Sequence, residues 1–585
     1  MLKLFKNLSK KDVGFIVIAV ILISCGVWFD LKLPDYMSGI TQLIQTNGTM
    51  NQILEKGMYM LGCAAGSLVC AVIVGYLAAT ISSSFSMKLR EKIFHKVASF
   101  SNSQINKFQT SSLITRTTND VTQIEMLIAM GLQMLVKAPI MAVLAISKIL
   151  DKSVELSMLI AVCVAVLLVV VVIIMMIVMP RFQLVQKLID KVNGVIRENL
   201  SGIRVVRAFN AEDFEAKRFE EVNDELTETQ LFNQRIFAVM MPVMNFVMNF
   251  LSVAIYYVGM LLIDKALLYD KVQIFSNVVV FTSYGMQVIM AFLMLAMIFM
   301  ILPRASISAN RINEVLDEPL TIMDGSFDGN TDVKGEVEFK NVSFKYPGAD
   351  ENVIENISFK VKKGQTIAFI GSTGSGKSTL INLVPRFYDC TEGEIDVDGV
   401  NIKDYKQDAL HEKIGYISQK AFMFDGSIEE NVNYGHSHLK QRDVKNVEDA
   451  CQTAMANEFI SKMEKGYDSH IARGGTNVSG GQKQRLSIAR AISFDPEIYI
   501  FDDSFSALDF KTDASLRKAL RTTKKDATFM IVAQRIGTIM DADTIVVLDR
   551  GKAVGIGTHQ ELLKNCEVYQ EIAYSQLSKE ELENA

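Results

Sequence analysis

The chain has 585 residues, too many for one core, so at least two domains are expected. Hydrophobic residues make up 49% of it, and a formal net charge of −5 gives no reason to expect a nucleic-acid partner. The apolar content is uneven: very long apolar runs fill the first half, whereas the second half reads as a soluble α/β domain.

In chain order, the first twelve residues are basic (Lys3, Lys6, Lys10, Lys11), and an apolar run follows at 13–28. A cleaved signal peptide is the competing reading, but no small-residue cleavage site follows and five further runs do. Runs of about twenty apolar residues suit membrane-crossing helices. The others fall near 57–81, 126–149, 156–179, 236–263 and 274–302, giving six spans. The connections at 34–56, 151–155 and 264–273 are short, while 82–125 and 180–235 are long, helical in pattern and rich in Lys and Arg. The positive-inside rule puts both long segments and both termini in the cytoplasm, so the chain is expected to be a multi-pass protein of the cell (plasma) membrane. Its helices then run beyond the bilayer, and Lys137 marks where the third span enters the inner interface. The turns at 103–112 and 199–212 are either ordinary loops or grips for a soluble motor. Their length without low complexity favours grips.

Methionines recur on one helical face of the sixth span (Met286, Met290, Met294, Met297) and of the fifth (Met240, Met244, Met248), with Asn245 and Asn249 beside the latter. They either line a surface that accepts many apolar shapes or fill gaps between packed helices. A polar stretch punctuated by Pro and Gly follows and reads as a linker, dividing the chain into a six-helix membrane domain (1–318), a linker (319–335) and a soluble domain (336–585).

The soluble half carries GSTGSGKS: Gly371, Ser372, Thr373, Gly374, Ser375, Gly376, Lys377 and Ser378. This is the phosphate-binding loop pattern, between a short apolar strand (366–370) and a helical pattern opening at Thr379. Its glycines let backbone N–H groups converge on phosphate oxygens. Lys377 would reach the β and γ phosphates and the Ser378 hydroxyl would ligate Mg²⁺, so a nucleoside triphosphate is the expected ligand. Upstream, 337–346 alternates like an edge strand and ends in Tyr346, which either stacks on adenine or is an ordinary strand-end aromatic. The cysteines show neither a disulfide framework nor metal spacing, which fits a reducing compartment, and His436 and His438 read as a solvated loop pair.

NVSGGQ (477–482) resembles the signature of the ATP-binding cassette (ABC) family, and it lies between the phosphate loop and YIFDD (499–503), which resembles Walker B. Gln419 in YISQ, the SALD stretch ending at Asp509, and Gln534 in IVAQR stand where the family has its Q-loop, D-loop and switch. The resemblance covers nearly the whole chain and is to an exporter half-transporter: an α-helical membrane domain of six helices with long cytoplasmic extensions, fused to an α/β P-loop cassette. It implies that the elbows are coupling helices, that Asp502 and Gln419 join Ser378 at Mg²⁺, and that two cassettes sandwich two ATP molecules. Ser479, Gly480, Gly481 and Gln482 would then serve the partner's nucleotide.

Two positions depart from the family pattern. Asp503 stands where a catalytic Glu is usual, and Gln534 where the switch is usually His. Losing one methylene draws the carboxylate back by about 1.5 Å, and a misplacement of roughly 1 Å costs on the order of a hundredfold in rate. Gln534 can donate to phosphate but carries no imidazolium charge. This chain's own site is therefore expected to bind ATP and hydrolyse it slowly. An intact signature would complete the site of a different half-transporter, as in heterodimeric bacterial multidrug exporters. The expected cargo is a small amphipathic compound or a membrane lipid. A homodimeric exporter, an exporter-fold importer and an ATP-gated regulatory subunit stay open as alternatives.

Overall fold

Each long apolar run folds as a helix that outlasts it. The computed structural model describes residues 2–6, 8–150, 154–267, 270–435 and 444–577, so His436 and His438 lie outside the described residues. Among the described residues, six helices are long and apolar enough to cross a membrane. They are α1 (Lys10–Gln45), α2 (Met50–Ala98), the Thr110–Leu150 stretch whose main part is α4 (Asn119–Leu150), α5 (Val154–Ser201), α7 (Glu212–Lys265) and α8 (Asp270–Asp317). At a rise of about 1.5 Å per residue, the 49 residues of α2 cover more than twice the ~30 Å thickness of the hydrocarbon core. α5 and α7, with 48 and 54 residues, do the same. Two short helices cap the extensions: α3 (Asn102–Phe108) after α2, and α6 (Ile203–Ala208) between α5 and α7.

The chain divides into two compact units, one of Met1–Ala98 and Ser111–Glu318, the other of Ser99–Thr110 and Pro319–Ala585. In the first, α1 packs on α2, α4 on α8, and α5 on α7. Its core holds Ile23, Val27, Ala138, Leu251, Phe281 and Tyr284. Several polar groups inside it are matched across helices. Asp12 of the Ser9 capping box pairs with Lys88 at 2.9 Å, Asp35 pairs with Lys148 at 2.8 Å, and the Tyr284 hydroxyl shares its one proton between the Leu31 carbonyl and Asp35, both at 2.9 Å.

Lys137 corrects the sequence reading. It pairs with Asp30 at 3.2 Å, and Asp30 lies about 27 Å along α1 from Asp12, taking the helical rise. The lysine therefore sits at the far end of the first apolar run, away from the basic N-terminus. A counter-charge on the neighbouring helix holds it there, which hydropathy along one helix cannot report. The methionines divide: Met244 is buried at 3% exposure, whereas Met290 and Met297 are exposed.

The second unit is built on two large sheets, beside a short two-stranded one of Gly426–Ser427 and His470–Ile471. The antiparallel one, in the order β2-β1-β4-β5, comprises β1 (Val337–Phe344), β2 (Ile354–Val361), β4 (Glu392–Val397) and β5 (Val400–Asn401). β1 is thus an interior strand, not the edge its alternation suggested. Alternation reports one buried face and says nothing of how many neighbours a strand has. Its register shifts on both sides around Asn341, whose φ is 50°. The larger sheet runs β10-β9-β3-β8-β7-β6, with β3 (Thr366–Gly371), β6 (Ile414–Ile417), β7 (Ile498–Asp502), β8 (Thr528–Val532), β9 (Thr544–Asp549) and β10 (Lys552–Gly557). All but β10 are parallel, and β3 and β7–β9 read as near-continuous apolar runs, as strands covered on both faces must. The 319–335 stretch is laid against this unit: the Gly325 and Phe327 amides donate to the Tyr405 and Asp404 carbonyls, both at 2.9 Å.

Candidate functional site

Four parallel strands, β3, β8, β7 and β6, end beside one another, and the residues just beyond their carboxyl ends form the site. Such crevices are where open α/β sheets take their ligands. After β3 the chain wraps as the Gly371–Ser378 loop into α9 (Lys377–Asn382). Two glycines there are obligatory. A Cβ on Gly371 would collide with the Leu548 carbonyl, and Gly376 has φ 96° with the Val353 carbonyl 3.0 Å from where a Cβ would stand.

Lys377 is buried at 9% exposure and folds back on its own loop, donating to the Gly371 carbonyl (2.9 Å), the Ser372 carbonyl (2.7 Å) and Ser375 Oγ (3.3 Å). Burial pushes its ammonium below the usual lysine range, against the pull of Asp503 and Asp502. Ser378 Oγ donates to Asp502 Oδ1 at 2.6 Å. Burial raises the Asp502 carboxyl above the usual range, opposed by the bonds from Ser378 and Tyr416. The Tyr416 hydroxyl donates to Asn382 at 2.8 Å and reaches Asp502 Oδ2 at 3.4 Å.

Asp503 is the focus of the remaining contacts. One oxygen, Oδ2, accepts both the Gln419 amide at 3.1 Å and the Gln534 amide at 2.8 Å. Its backbone has φ 50°, a region where Asp is enriched, and its N–H donates to the Val532 carbonyl at 3.1 Å. A cavity of about 370 Å³ opens here, lined by Thr373, Gly374, Gly376, Lys377, Ser378, Thr379, Gln419, Asp503 and Gln534 together with Val353 and Val532. Phosphate oxygens fit a cradle in which the only ammonium is spent on loop carbonyls that an anion could replace. A hard cation fits the Ser378–Asp502 oxygen pair.

The structure brings together the loop, Gln419, Asp502, Asp503 and Gln534. Tyr346 stands alongside, its hydroxyl 3.0 Å from Thr379 Oγ1 and its ring edge-on to Tyr388 at 5.3 Å. The signature does not join this cavity. Ser479 caps α10 (Gly480–Phe494), accepting from the Gln482 amide at 3.3 Å while the Gln482 side chain accepts from the Ser479 N–H at 2.9 Å. Ser479 and Gly480 are exposed. Asp509 likewise caps α11 (Phe510–Thr523), and the Thr512 N–H and hydroxyl hold its carboxylate below the usual range. Sequence reasoning missed Tyr416, whose hydroxyl lies between Asn382 and Asp502. The one available signal was the tyrosine in the YISQ stretch that already held Gln419.

Two family models match the chain: the ABC transporter transmembrane region over residues 16–292 and the ABC transporter model over 354–506. An uncharacterized ABC transporter ATP-binding protein of Mycobacterium tuberculosis is 39% identical over 554 residues, covering 93% of each chain. An ATP-dependent lipid A-core flippase of Saccharophagus degradans is 34% identical over 394 residues, covering 67% of this chain and 65% of the flippase. The structure of a bacterial Atm1-family ABC exporter with ATP bound superposes with a TM-score of 0.82 at 22% identity, covering 97% of this chain and 98% of that one.

Proposed function

The chain belongs to the ABC transporter family, whose cassette is an ATPase coupled to transport through the membrane helices, and from that premise we propose that it is the weakly catalytic half of a heterodimeric exporter. Its cargo is an amphipathic compound, a drug or a lipid, moved out of the cytoplasm across the plasma membrane. The domains follow the division at 318 and 335, with the cassette and both termini cytoplasmic.

The observation that carries the asymmetry is the shared carboxylate oxygen. Asp503 is one methylene short of the usual Glu, and its Oδ2 already accepts two amides, from Gln419 and from Gln534. A general base must be free to reach the water that it polarises. Here the base is retracted and occupied, and the switch position holds an amide that cannot become cationic. ATP bound in the cradle would be held by Lys377 and the loop, with Ser378, Asp502 and Gln419 positioned for Mg²⁺, which would neutralise phosphate charge. Tyr346 would lie against the base. The Ser479–Gln482 turn, exposed at Ser479 and Gly480, would complete a partner site carrying Glu and His. The flippase relative supports a lipid-like amphiphile as cargo.

The ATPase rate of the purified complex tests this. Asp503→Ala leaves the rate within about twofold, because this residue is not the working base. Ser479→Arg, which blocks the turn serving the other nucleotide, lowers it on the order of a hundredfold. A collapse with Asp503→Ala overturns the assignment.

A further inference from the structure

Polar side chains from four membrane helices meet at one level of the first unit. Asp30 of α1 accepts from Ser67 of α2 at 2.5 Å and pairs with Lys137 of α4 at 3.2 Å. Gln287 of α8 donates to the Asp30 carbonyl at 3.4 Å, and its own Oε1 is buried with no hydrogen-bond partner. A buried acceptor without a donor is costly, so a donor from outside the chain would stabilise it. The ion pair is not sealed, since the Lys137 side chain keeps 35% and that of Asp30 22% of its exposure. Charged groups inside membrane helices are expensive; they pair with one another or mark substrate and ion pathways.

The surroundings suit an amphiphile. Trp28, the single tryptophan of the chain, lies two residues before Asp30, is 52% exposed, and has the Lys32 ammonium 5.4 Å from its ring. An exposed indole with a cation against it marks interfacial depth, where headgroups lie. Along α8, Gln287 flanks the helical face of Met286, Met290 and Met294, and Met290 is exposed. A polar spot thus adjoins an adaptable apolar strip.

We propose that Asp30, Gln287 and Lys137 form a headgroup subsite for an ammonium-bearing amphiphile. The ligand's N–H groups donate to the Asp30 carboxylate and to Gln287 Oε1, and its charge takes the place of the Lys137 ammonium. This deepens the exporter reading and rests on it for the claim that the ligand is cargo.

The test is equilibrium binding of radiolabelled dodecylammonium to the complex, purified through a tag on this chain, in phosphatidylcholine nanodiscs without nucleotide. Empty nanodiscs give the partition blank, and thermal melting checks that each variant is folded. Binding is saturable, and Gln287→Leu weakens it severalfold. Lys137→Met tightens it, because the carboxylate loses its internal competitor. The Asp30→Asn/Lys137→Met double variant, which leaves no charge unpaired, loses roughly tenfold or more, the scale of a desolvated charge contact. Dodecyltrimethylammonium, which has no N–H, does not compete. If the four side chains only knit the helices together, Lys137→Met and the double variant act alike and the quaternary amine competes as well as the primary one, which overturns the proposal. Phosphatidylethanolamine in the disc that displaces the probe identifies a lipid headgroup as the occupant, and a probe that persists identifies a free amphiphile; both support the shared chemistry. ATP-driven uptake into inside-out vesicles is read separately. Uptake without saturable binding removes the subsite and leaves the exporter standing, whereas binding without uptake removes the exporter.

Discussion

At the scale of single residues, the proposed weak catalysis turns on Asp503 and Gln534, which the structure links directly: the amide of one is bonded to the carboxylate of the other. Restoring Glu alone would lengthen the side chain at a backbone with φ 50°, where Asp is better tolerated, and would leave both amides in place. Asp503→Glu is therefore expected to change little. Asp503→Glu/Gln534→His returns both base and cation, and should raise turnover at this site by about tenfold or more in a complex whose other site is silenced. A double variant no faster than the parent would show that the limit lies elsewhere. Lys377 gives a simpler test. Lys377→Ala removes the ammonium from the cradle, so photolabelling of this chain by azido-ATP should be lost while labelling of its partner persists. The loop was legible because its chemistry lies in consecutive residues. The approach of Tyr416 to Asn382 and Asp502 was not, because those contacts join three separated segments.

At the scale of elements, the six membrane helices were legible because transfer of apolar side chains out of water dominates every one of them. Their continuation past the apolar runs followed from the lengths of the basic segments; α3 overlaps the first stretch read as an elbow and α6 lies within the second. Pairing between elements was not legible. β1 looked like an edge strand yet has two neighbours, and Lys137 looked like a marker of the inner interface yet pairs with Asp30 at the far end of the first apolar run. Both depend on which element comes to lie alongside, and a single-strand or single-helix pattern carries no such information. One close approach can be tested by itself. Gly259 of α7 lies so near Val278 of α8 that a Cβ there would collide with the valine methyl. Gly259→Val should overpack this contact and cost about 1–3 kcal/mol, seen as earlier thermal unfolding in detergent. Gly57→Ala on α2, where a Cβ meets nothing within 4 Å, should leave the melting curve in place. Equal melting of the two variants would mean that α7 and α8 do not pack as described.

At the scale of the whole molecule, a single chain holds a complete phosphate cradle but keeps its signature turn exposed and outside that cradle. Relatives matched over 93% of each chain place it among ABC transporters, and the fold is that of an ABC exporter. On the proposed reading, two copies of this chain would pair two intact signatures with two retracted bases, leaving no fast site. A different partner with Glu and His would supply one. Native mass spectrometry of the complex, purified in mild detergent through a tag on this chain, tests that asymmetry most directly. A second chain of similar size and different mass, bearing Glu and His at the two positions where this chain has Asp503 and Gln534, is the expected result. A clean dimer of this chain alone, hydrolysing ATP at a rate that Asp503→Ala abolishes, would contradict it.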